Sequence, residues 1–248
     1  MRVSIITVCF NSATTIEKTL QSVLSQKYKD IEYIVIDGKS TDGTLNIIDR
    51  YKEKIDRIIS EPDKGIYDAM NKGLALASGD IIGFLNSDDH FVDDRVVGRV
   101  VREFKRRRVQ CVYADVYYID KKGKVVRHYR SPADPIRGFK RYGFSPAHPT
   151  FYVKRDVYER YGGFDLEYET ANDYDLMLRF LYKHHITYSY IPLVLVKMQE
   201  GGSATRNLRS IIKGNIEVYR SSRSNGLNLS IVRIILKLVR KRISMFFL

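Results

Sequence analysis

The apolar residues in the first 110 positions fall into short runs whose period alternates. Four runs are mostly β-branched and have the length of strands buried on both faces. They are residues 3–9, 31–37, 58–60 and 81–85. The stretches between them carry apolar residues at helical spacing, near 16–24, 42–52 and 66–77. This alternation predicts an α/β fold with an open, mainly parallel, doubly wound sheet and flanking helices.

Polar side chains follow each of the four predicted strands. They lie in the segments Phe10-Asn11, Asp37, Glu61-Pro62-Asp63 and Asp88-Asp89. In an open parallel sheet the carboxyl ends of the strands lie along one edge, which is where such sheets bind ligands. We therefore expect these side chains to line a common ligand site.

The adjacent acids Asp88 and Asp89 are expected at the exposed end of the apolar run at 81–85. Two carboxylates there are unfavourable unless they are paired, and a divalent cation would pair them. Mg²⁺ typically takes one or two carboxylates together with phosphate oxygens of a substrate. The pair therefore indicates an enzyme with a phosphorylated substrate, although Asp-Asp at a strand end also occurs as a simple turn or helix cap.

The pattern changes after a helix predicted at 93–107. Two Tyr- and Val-rich strands flank a polar turn and predict a hairpin, and a Pro-containing stretch is predicted as a loop over the site. Two helices and a strand follow. The order is strands 111–119 and 124–130, loop 132–149, helices near 154–161 and 173–184, and strand 186–192. We treat residues 1–205 as one domain with halves 1–110 and 111–205.

Length and composition fit a globular protein of one large domain or two small ones. The chain has 248 residues, 44% of them hydrophobic and 29% charged. Cys9 and Cys111 lie inside apolar runs, which predicts buried thiols in a reducing compartment. The first ten residues are too strand-like for a secretory signal. No run of about 18 uncharged apolar residues exists, so no membrane-spanning helix is expected.

Most of the excess positive charge lies in residues 206–248. The formal net charge is +13, and this segment, with ten Lys or Arg and one acid, carries +9 of it. Its last part places polar residues on one narrow helical face and apolar residues on the rest. The pattern predicts a basic amphipathic helix on an anionic membrane surface, with an oligomer helix as the alternative. A nucleic-acid-binding protein is disfavoured because no groove-reading motif is present.

Five short segments occur in a fixed order along residues 1–205. They are FN at 10–11, DGKSTDGT at 37–44, EPDKGIYDAMNKG at 61–73, LNSDD at 85–89 and NDYDL at 172–176. In this order they resemble the family 2 glycosyltransferases of the GT-A fold, especially the bacterial enzymes of polysaccharide assembly. Each segment is short, but five in the right order argue against a chance match.

The resemblance implies an inverting transfer of a sugar from a nucleotide diphosphate donor, usually a uridine diphosphate sugar. The acceptor would be a glycan or a lipid-linked molecule in cell-surface polysaccharide synthesis. The cofactor would be Mn²⁺ or Mg²⁺. With the basic C-terminal segment, it implies a cytoplasmic protein that is peripheral on the inner face of the cell membrane. A homo-oligomer is an open alternative for that segment.

The resemblance also implies donor-site residues after the first two strands. Asp37 would contact the nucleotide base, with Phe10 and Asn11 beside the base pocket. The alternative for Asp37 is an acid that only organises a turn. Gly38 replaces a second acid found in many members, which puts one polar contact to the nucleotide in doubt.

Further donor-site residues are implied in the later segments. Asp63, Asp68 and Asn71 would lie against the nucleotide, and Asp68 and Asn71 fall within one helical turn. Asp88 would contact the ribose or an outer water, and Asp89 would hold the metal.

The base of an inverting transfer is implied at Asp173, which would take the proton of the acceptor hydroxyl. Asp173 also has the position of a helix cap, and both roles are compatible. Asn172 precedes it where many members have an acid; if that first position were the family's base, this chain would lack it. His148 is either a loop residue facing the acceptor or a structural histidine.

A nucleotidyltransferase is the alternative enzyme, because it shares strand-end acids and a metal. It would be expected to carry a glycine-rich loop with a basic residue after the first strand. Residues 11–14, NSAT, contain neither.

Overall fold

Nine described strands form one sheet with helices packed on both of its faces. The structure is a computed structural model that describes residues 1–201 and 208–230. The strands are β1 (Val3–Cys9), β2 (Ile31–Asp37), β3 (Arg57–Ser60), β4 (Ile81–Phe84), β5 (His90–Phe91), β6 (Cys111–Ile119), β7 (Val125–Tyr129), β8 (Tyr152–Lys154) and β9 (Tyr188–Gln199). The helices are α1 (Ile16–Leu24), α2 (Thr44–Asp49), α3 (Ile66–Leu76), α4 (Val96–Arg107), α5 (Pro135–Tyr142), α6 (Arg155–Tyr161), α7 (Asn172–Leu178) and α8 (Leu208–Ser224). Short 3-10 helices at Lys52–Lys54 and His148–Thr150 and a π-helical segment at Arg179–Lys183 join them.

The four strands predicted in the first half form the parallel part of the sheet, in the order β3-β2-β1-β4. Cys9 pairs with Asp37, and Asp37 pairs with Ser60, so these strands end level with one another. The residues that follow the strands therefore meet at one edge of the sheet. The predicted α/β fold with a mainly parallel sheet and flanking helices is confirmed in this half of the chain.

The second half adds antiparallel pairings. β8 lies antiparallel between β4 and β6, and β9 runs parallel to β6. β5 pairs antiparallel with β9, and β7 with β6. The sequence does not predict β5 and β8, because two or three residues are too few for a period to show. β9 is longer than the strand predicted at 186–192.

The prediction of an unbroken loop at 132–149 is wrong, since α5 lies inside it. Asp134 caps this helix by accepting a hydrogen bond from the backbone N–H of Arg137 at 2.9 Å. Pro135 is the first helical residue. A backbone N–H at this position has no partner within the helix, so proline, which lacks one, costs no hydrogen bond. An acidic cap followed by proline is thus the start signal of α5.

Two apolar clusters, one on each face of the sheet, hold the layers together. α3, α6, α7 and α8 contribute to one cluster, and α1, α2 and α4 to the other. α3 lies directly against the sheet at Gly73, where an added Cβ would overlap Ile6 and come within 3.3 Å of Ile36. This close approach fixes the position of α3 and of the loop that leads into it.

α8 belongs to the segment predicted as an appendage, yet it packs on the domain. Val218, Leu227 and Leu229 are 7%, 4% and 2% exposed and join the cluster around Tyr174. The division at 205/206 stays a prediction.

Most of the predicted amphipathic helix falls in 231–248 and lies outside the described residues. Within residues 1–201 and 208–230, no helix is long and apolar enough to cross a membrane.

Alanine substitutions at two helical glycines test the close approach of α3. Gly73→Ala should lower the free energy of unfolding by about 1–3 kcal/mol, because its methyl group overlaps Ile6. Gly98→Ala in α4 is the matched control, since an added Cβ there meets nothing within 4 Å. The helix propensity of alanine should then raise stability by about 0.5–1 kcal/mol. Urea unfolding followed by circular dichroism measures both, and equal effects would contradict the close approach.

Candidate active site

The candidate site, which we call the cleft, comprises the residues that follow the parallel strands together with His148 and Asp173. Residues 10 and 11, directly after β1, lie at its exposed end. Phe10 is 62% exposed, and its ring offers a stacking surface. Asn11 has a left-handed backbone (φ 49°), and its side-chain oxygen accepts a hydrogen bond from the N–H of Thr41 at 2.9 Å. Its own N–H donates to the Ser40 hydroxyl at 2.8 Å. Asn11 thus holds the loop after β2 against the end of β1 and leaves Phe10 in solvent.

Asp37 ends β2 and is fully buried. Its carboxylate accepts hydrogen bonds from the Ser40 N–H (3.0 Å), the Ser40 hydroxyl (2.5 Å) and the Ser60 hydroxyl (2.6 Å). The Cys9 thiol donates to it at 3.6 Å, and burial and Asp37 raise the pKa of that thiol. Both carboxylate oxygens are therefore engaged within the protein. The predicted contact of Asp37 with the nucleotide base stays a prediction that requires one of these bonds to be exchanged.

Asp63 fills the space that a side chain at position 38 would occupy. A Cβ added to Gly38 would overlap the Asp63 carboxylate and lie 3.3 Å from the Phe10 ring. The other oxygen of Asp63 accepts a hydrogen bond from the N–H of Gly65 at 2.8 Å. Gly65 has a φ of 115°, a conformation that favours glycine. The Asp63 carboxylate thus lies where the first side-chain carbon of an acid at position 38 would be.

Asp68 and Asn71 hold the loops beside α3. Asp68 accepts a hydrogen bond from the N–H of Lys64 at 3.0 Å and so shapes the turn around Asp63. The side-chain amide of Asn71 bonds both the N–H and the carbonyl of Phe164, each at 2.9 Å. Both side chains are engaged within the protein in this arrangement, and their contacts to a nucleotide stay predictions.

The acids that follow β4 are less well satisfied. Asp89 is 2% exposed, and its Oδ2 finds no hydrogen-bond partner in the described part of the chain. The same holds for Asn86 Oδ1, one turn earlier. Burial, then the neighbouring Asp88, raises the pKa of Asp89 well above its usual range, and burial also raises the pKa of Asp88. Orphaned oxygens next to two acids form an arrangement that a hard cation relieves.

Asp173 is the acid of α7 that faces this cleft. The Tyr67 hydroxyl donates to its Oδ2 at 3.4 Å, and His148 Nδ1 lies 3.8 Å from the same oxygen. The Asp173 side chain is 27% exposed. Asn172, by contrast, is fully buried, and its side chain bonds the backbone of Asp165 in both directions. Asn172 therefore has a structural role and connects the start of α7 to Asp165, whereas Asp173 presents the accessible carboxylate.

His148 lies between the base candidate and the acid pair. Its Nε2 is 3.4 Å from Asn86 Nδ2, while its Nδ1 faces Asp173. Of the two interpretations that the sequence leaves open, this position favours a residue of the cleft.

Three further cleft residues are missed by the sequence analysis. The Ser12 and Ser87 hydroxyls lie 2.9 Å apart and join the Phe10 end of the cleft to the acid pair. Tyr67 supplies the hydrogen bond to Asp173. Each of the three lies inside or next to one of the five segments, and that proximity was the available signal.

Asp88 and Asp89 fit a divalent cation that takes most of its ligands from a substrate and from water. Across residues 1–201 and 208–230, no cluster of three or more His, Cys, Asp or Glu side chains is arranged for a metal. One or two carboxylates with substrate phosphates and water are the usual set for Mg²⁺. The unpartnered Oδ2 of Asp89 therefore suits an ion that arrives with a phosphorylated ligand.

Solved glycosyltransferase structures share this fold. S. aureus TarS 1-349 in complex with UDP-GlcNAc matches with a TM-score of 0.70 and 17% identity, over 96% of this chain and 72% of that chain. The mannosyltransferase PcManGT from Pyrobaculum calidifontis in complex with GDP-Man and Mn²⁺ matches with a TM-score of 0.65 and 20% identity, over 88% and 64%. The similarity shows the GT-A fold.

Sequence relatives extend the comparison. The putative glycosyltransferase EpsE of Bacillus subtilis is 31% identical over 238 residues, which cover 92% of this chain and 84% of EpsE. The Escherichia coli UDP-Glc:alpha-D-GlcNAc-diphosphoundecaprenol beta-1,3-glucosyltransferase WfaP is 37% identical over 133 residues, about half of each chain (53% and 52%). The family model for Glycosyl transferase family 2 matches residues 4–167. With the coverage of EpsE and of the family model, the chain belongs to glycosyl transferase family 2.

Proposed function

We propose that this glycosyltransferase moves a sugar from a uridine diphosphate donor to a glycan or lipid-linked acceptor, with inversion at the anomeric carbon. One observation carries the proposal: His148 connects the accessible carboxylate of Asp173, 3.8 Å from its Nδ1, to Asn86, 3.4 Å from its Nε2 and three residues before Asp89. The Oδ2 of Asp89 has no hydrogen-bond partner among the described residues. The reaction requires a site that neutralises the departing diphosphate and a separate base for the incoming hydroxyl. The two acids suit these two tasks.

The nucleotide base is proposed to stack on Phe10 next to Asp63. The exposed ring offers an apolar face, and a carboxylate beside it can accept a hydrogen bond from a ring N–H of uracil. The TarS complex with UDP-GlcNAc supports a uridine donor. PcManGT was solved with GDP-Man, so a guanosine donor is the alternative that a binding screen separates.

Asp89 would hold Mn²⁺ or Mg²⁺ through its unpartnered oxygen, and Asp88 would contact the ribose or a coordinated water. When bound, such an ion neutralises the negative charge that develops on the diphosphate leaving group. The Mn²⁺ complex of PcManGT supports a divalent ion.

Asp173 is proposed to take the proton of the acceptor hydroxyl as the hydroxyl oxygen attacks the anomeric carbon. Attack comes from the face opposite the diphosphate, so the bond to the leaving oxygen breaks as the new bond forms, and the configuration inverts. Tyr67 and His148 both lie against Oδ2 of Asp173. That arrangement leaves Oδ1 for the acceptor.

A lipid-linked acceptor at the inner face of the cell membrane agrees with two observations. The name of WfaP describes transfer to a diphosphoundecaprenol-linked sugar. The sequence of 231–248 has the basic amphipathic pattern of a helix that lies on an anionic membrane. We therefore propose a cytoplasmic enzyme that is peripheral on this membrane.

Two substitutions separate donor binding from base catalysis. A UDP-sugar with Mn²⁺ should raise the melting temperature of the wild-type protein, because a ligand of the native state stabilises it. Asp89→Asn should lose this shift but melt no lower without ligand, because the amide cannot place a charge at this buried position, where Oδ2 has no partner among the described residues. Asp173→Asn should keep the shift and lose transfer by about 10²- to 10⁴-fold. A thermal-shift screen of UDP- and GDP-sugars and a transfer assay measure these effects; wild-type transfer in either variant would remove its assigned role.

Gly38→Ala should weaken UDP binding, because its methyl group displaces the Asp63 carboxylate. We expect affinity to fall by about tenfold or more, because a hydrogen bond to a charged group contributes about 1.5–3 kcal/mol and about 1.4 kcal/mol corresponds to tenfold. Asp63→Ala should cause a similar loss, and the double variant should add little to either. Calorimetric titration with UDP measures the affinities, with Gly98→Ala as the neutral control. Unchanged affinity in Gly38→Ala would exclude this role of Asp63.

Removal of residues 231–248 tests the membrane proposal. The shortened chain retains the buried Leu227 and Leu229, so we expect it to fold and bind donor as the full chain does. It should no longer sediment with vesicles that contain phosphatidylglycerol, because the basic amphipathic segment is gone. Unchanged sedimentation would argue against a membrane role. A change from an oligomer of the full chain to a monomer of the shortened chain in solution would instead identify an oligomer helix.

A further inference from the structure

α8 contacts the segment that leads into α7, the helix that carries the proposed base Asp173. Glu217 on α8 is 5% exposed, and its Oε2 accepts hydrogen bonds from the N–H groups of Thr170 (2.7 Å) and Ala171 (2.9 Å) and from the Thr170 hydroxyl (2.8 Å). Its Oε1 accepts a hydrogen bond from the N–H of Glu169 at 3.3 Å. One buried carboxylate thus accepts hydrogen bonds from three consecutive backbone N–H groups directly before α7, which begins at Asn172.

These hydrogen bonds favour the charged form of Glu217. Burial raises the pKa of Glu217, but the hydrogen bonds from residues 169–171 outweigh burial and hold the pKa below its usual value. Hydrogen bonds to an ionised acceptor are about twice as strong as those between neutral groups. The segment 169–171 therefore has a strong and directional anchor on α8.

The same helix also holds the two residues that follow Asp173. The Tyr174 and Ser222 hydroxyls lie 2.9 Å apart, and the Ser221 hydroxyl donates to Asp175 at 2.7 Å. Asp173 lies between these contacts and the segment held by Glu217, while its own carboxylate faces the cleft. The position of the base is thus determined on both sides by α8.

We propose that Glu217 is a positioning residue for Asp173. Its contacts with 169–171 determine where α7 begins and therefore where the carboxylate of Asp173 lies in the cleft. The inference rests on the proposed function, since it concerns the base of that reaction. Misplacement of a reacting group by about 1 Å can lower a rate by about 100-fold. Glu217 can therefore control the rate of transfer from behind the cleft, without contacting donor or acceptor.

Glu217→Gln tests this role with little loss of packing. The amide keeps one acceptor oxygen but turns an N–H₂ group toward the N–H of Glu169, so the anchor weakens without leaving a cavity. We expect kcat for transfer to fall by about 10- to 100-fold. The affinity for UDP should stay at the wild-type value, because the Phe10 end of the cleft is untouched. Unchanged kcat in this variant would overturn the proposal.

Val218→Ala is the matched structural control. Val218 is the next residue of α8, is buried in the apolar cluster and makes no side-chain hydrogen bond to 169–171. Its truncation should lower the melting temperature at least as much as Glu217→Gln does and leave kcat close to wild type. Equal losses of kcat in the two variants would overturn the proposal, because a general weakening of α8 would then account for both.

A double-mutant cycle with Asp173→Asn separates failure of this inference from failure of the proposed function. If Glu217 acts through Asp173, Glu217→Gln should lower kcat in the wild-type background and have no further effect in the Asp173→Asn background. Additive losses would overturn the positioning role and leave the base assignment intact. A wild-type rate in Asp173→Asn alone would overturn both, because the base itself would be wrong.

Discussion

A buried carboxylate after a strand needs hydrogen-bond donors or a cation, and Asp37 and Asp89 differ in how this need is met. Asp37 is fully buried, and the Ser40 and Ser60 side chains complete its hydrogen bonds within the protein. Asp89 is almost as buried but keeps an oxygen without a partner in the described residues. The first acid therefore organises the edge of the sheet, and the second is the one proposed to take a cation from outside the protein. The proposed chemistry of the cleft rests on this difference.

The fold could be predicted from the sequence where elements are long and uniform. β1 and β2 are seven-residue runs of mostly β-branched residues, so their period and burial are evident. β5 and β8 are strands only because the neighbouring chain offers hydrogen bonds, and two or three residues carry no local signal for that. The start of α5 was visible in Asp134 and Pro135, but a short helix among prolines is easily taken for a loop.

The candidate site could be predicted in outline, because five segments in order point to Asp89 and Asp173 without any knowledge of the fold. The partners of those acids could not. Asn71 is one turn from Asp68 in the sequence, yet it is committed to the backbone of Phe164 on a distant loop. Glu217 lies in a segment whose positive charge suggested an appendage. Such assignments depend on contacts between residues far apart in the chain, which no local pattern records.

The overlap between positions 38 and 63 restricts how this cleft can evolve. A side chain added at Gly38 enters space that the Asp63 carboxylate already occupies, so the cleft accommodates an acid from the strand end or from the loop, but not both in these positions. A sequence that passes from one arrangement to the other goes through an intermediate with two crowded like charges or with none. Substitutions at these two sites are therefore coupled, and related enzymes should divide into two lineages according to which backbone segment supplies the acid.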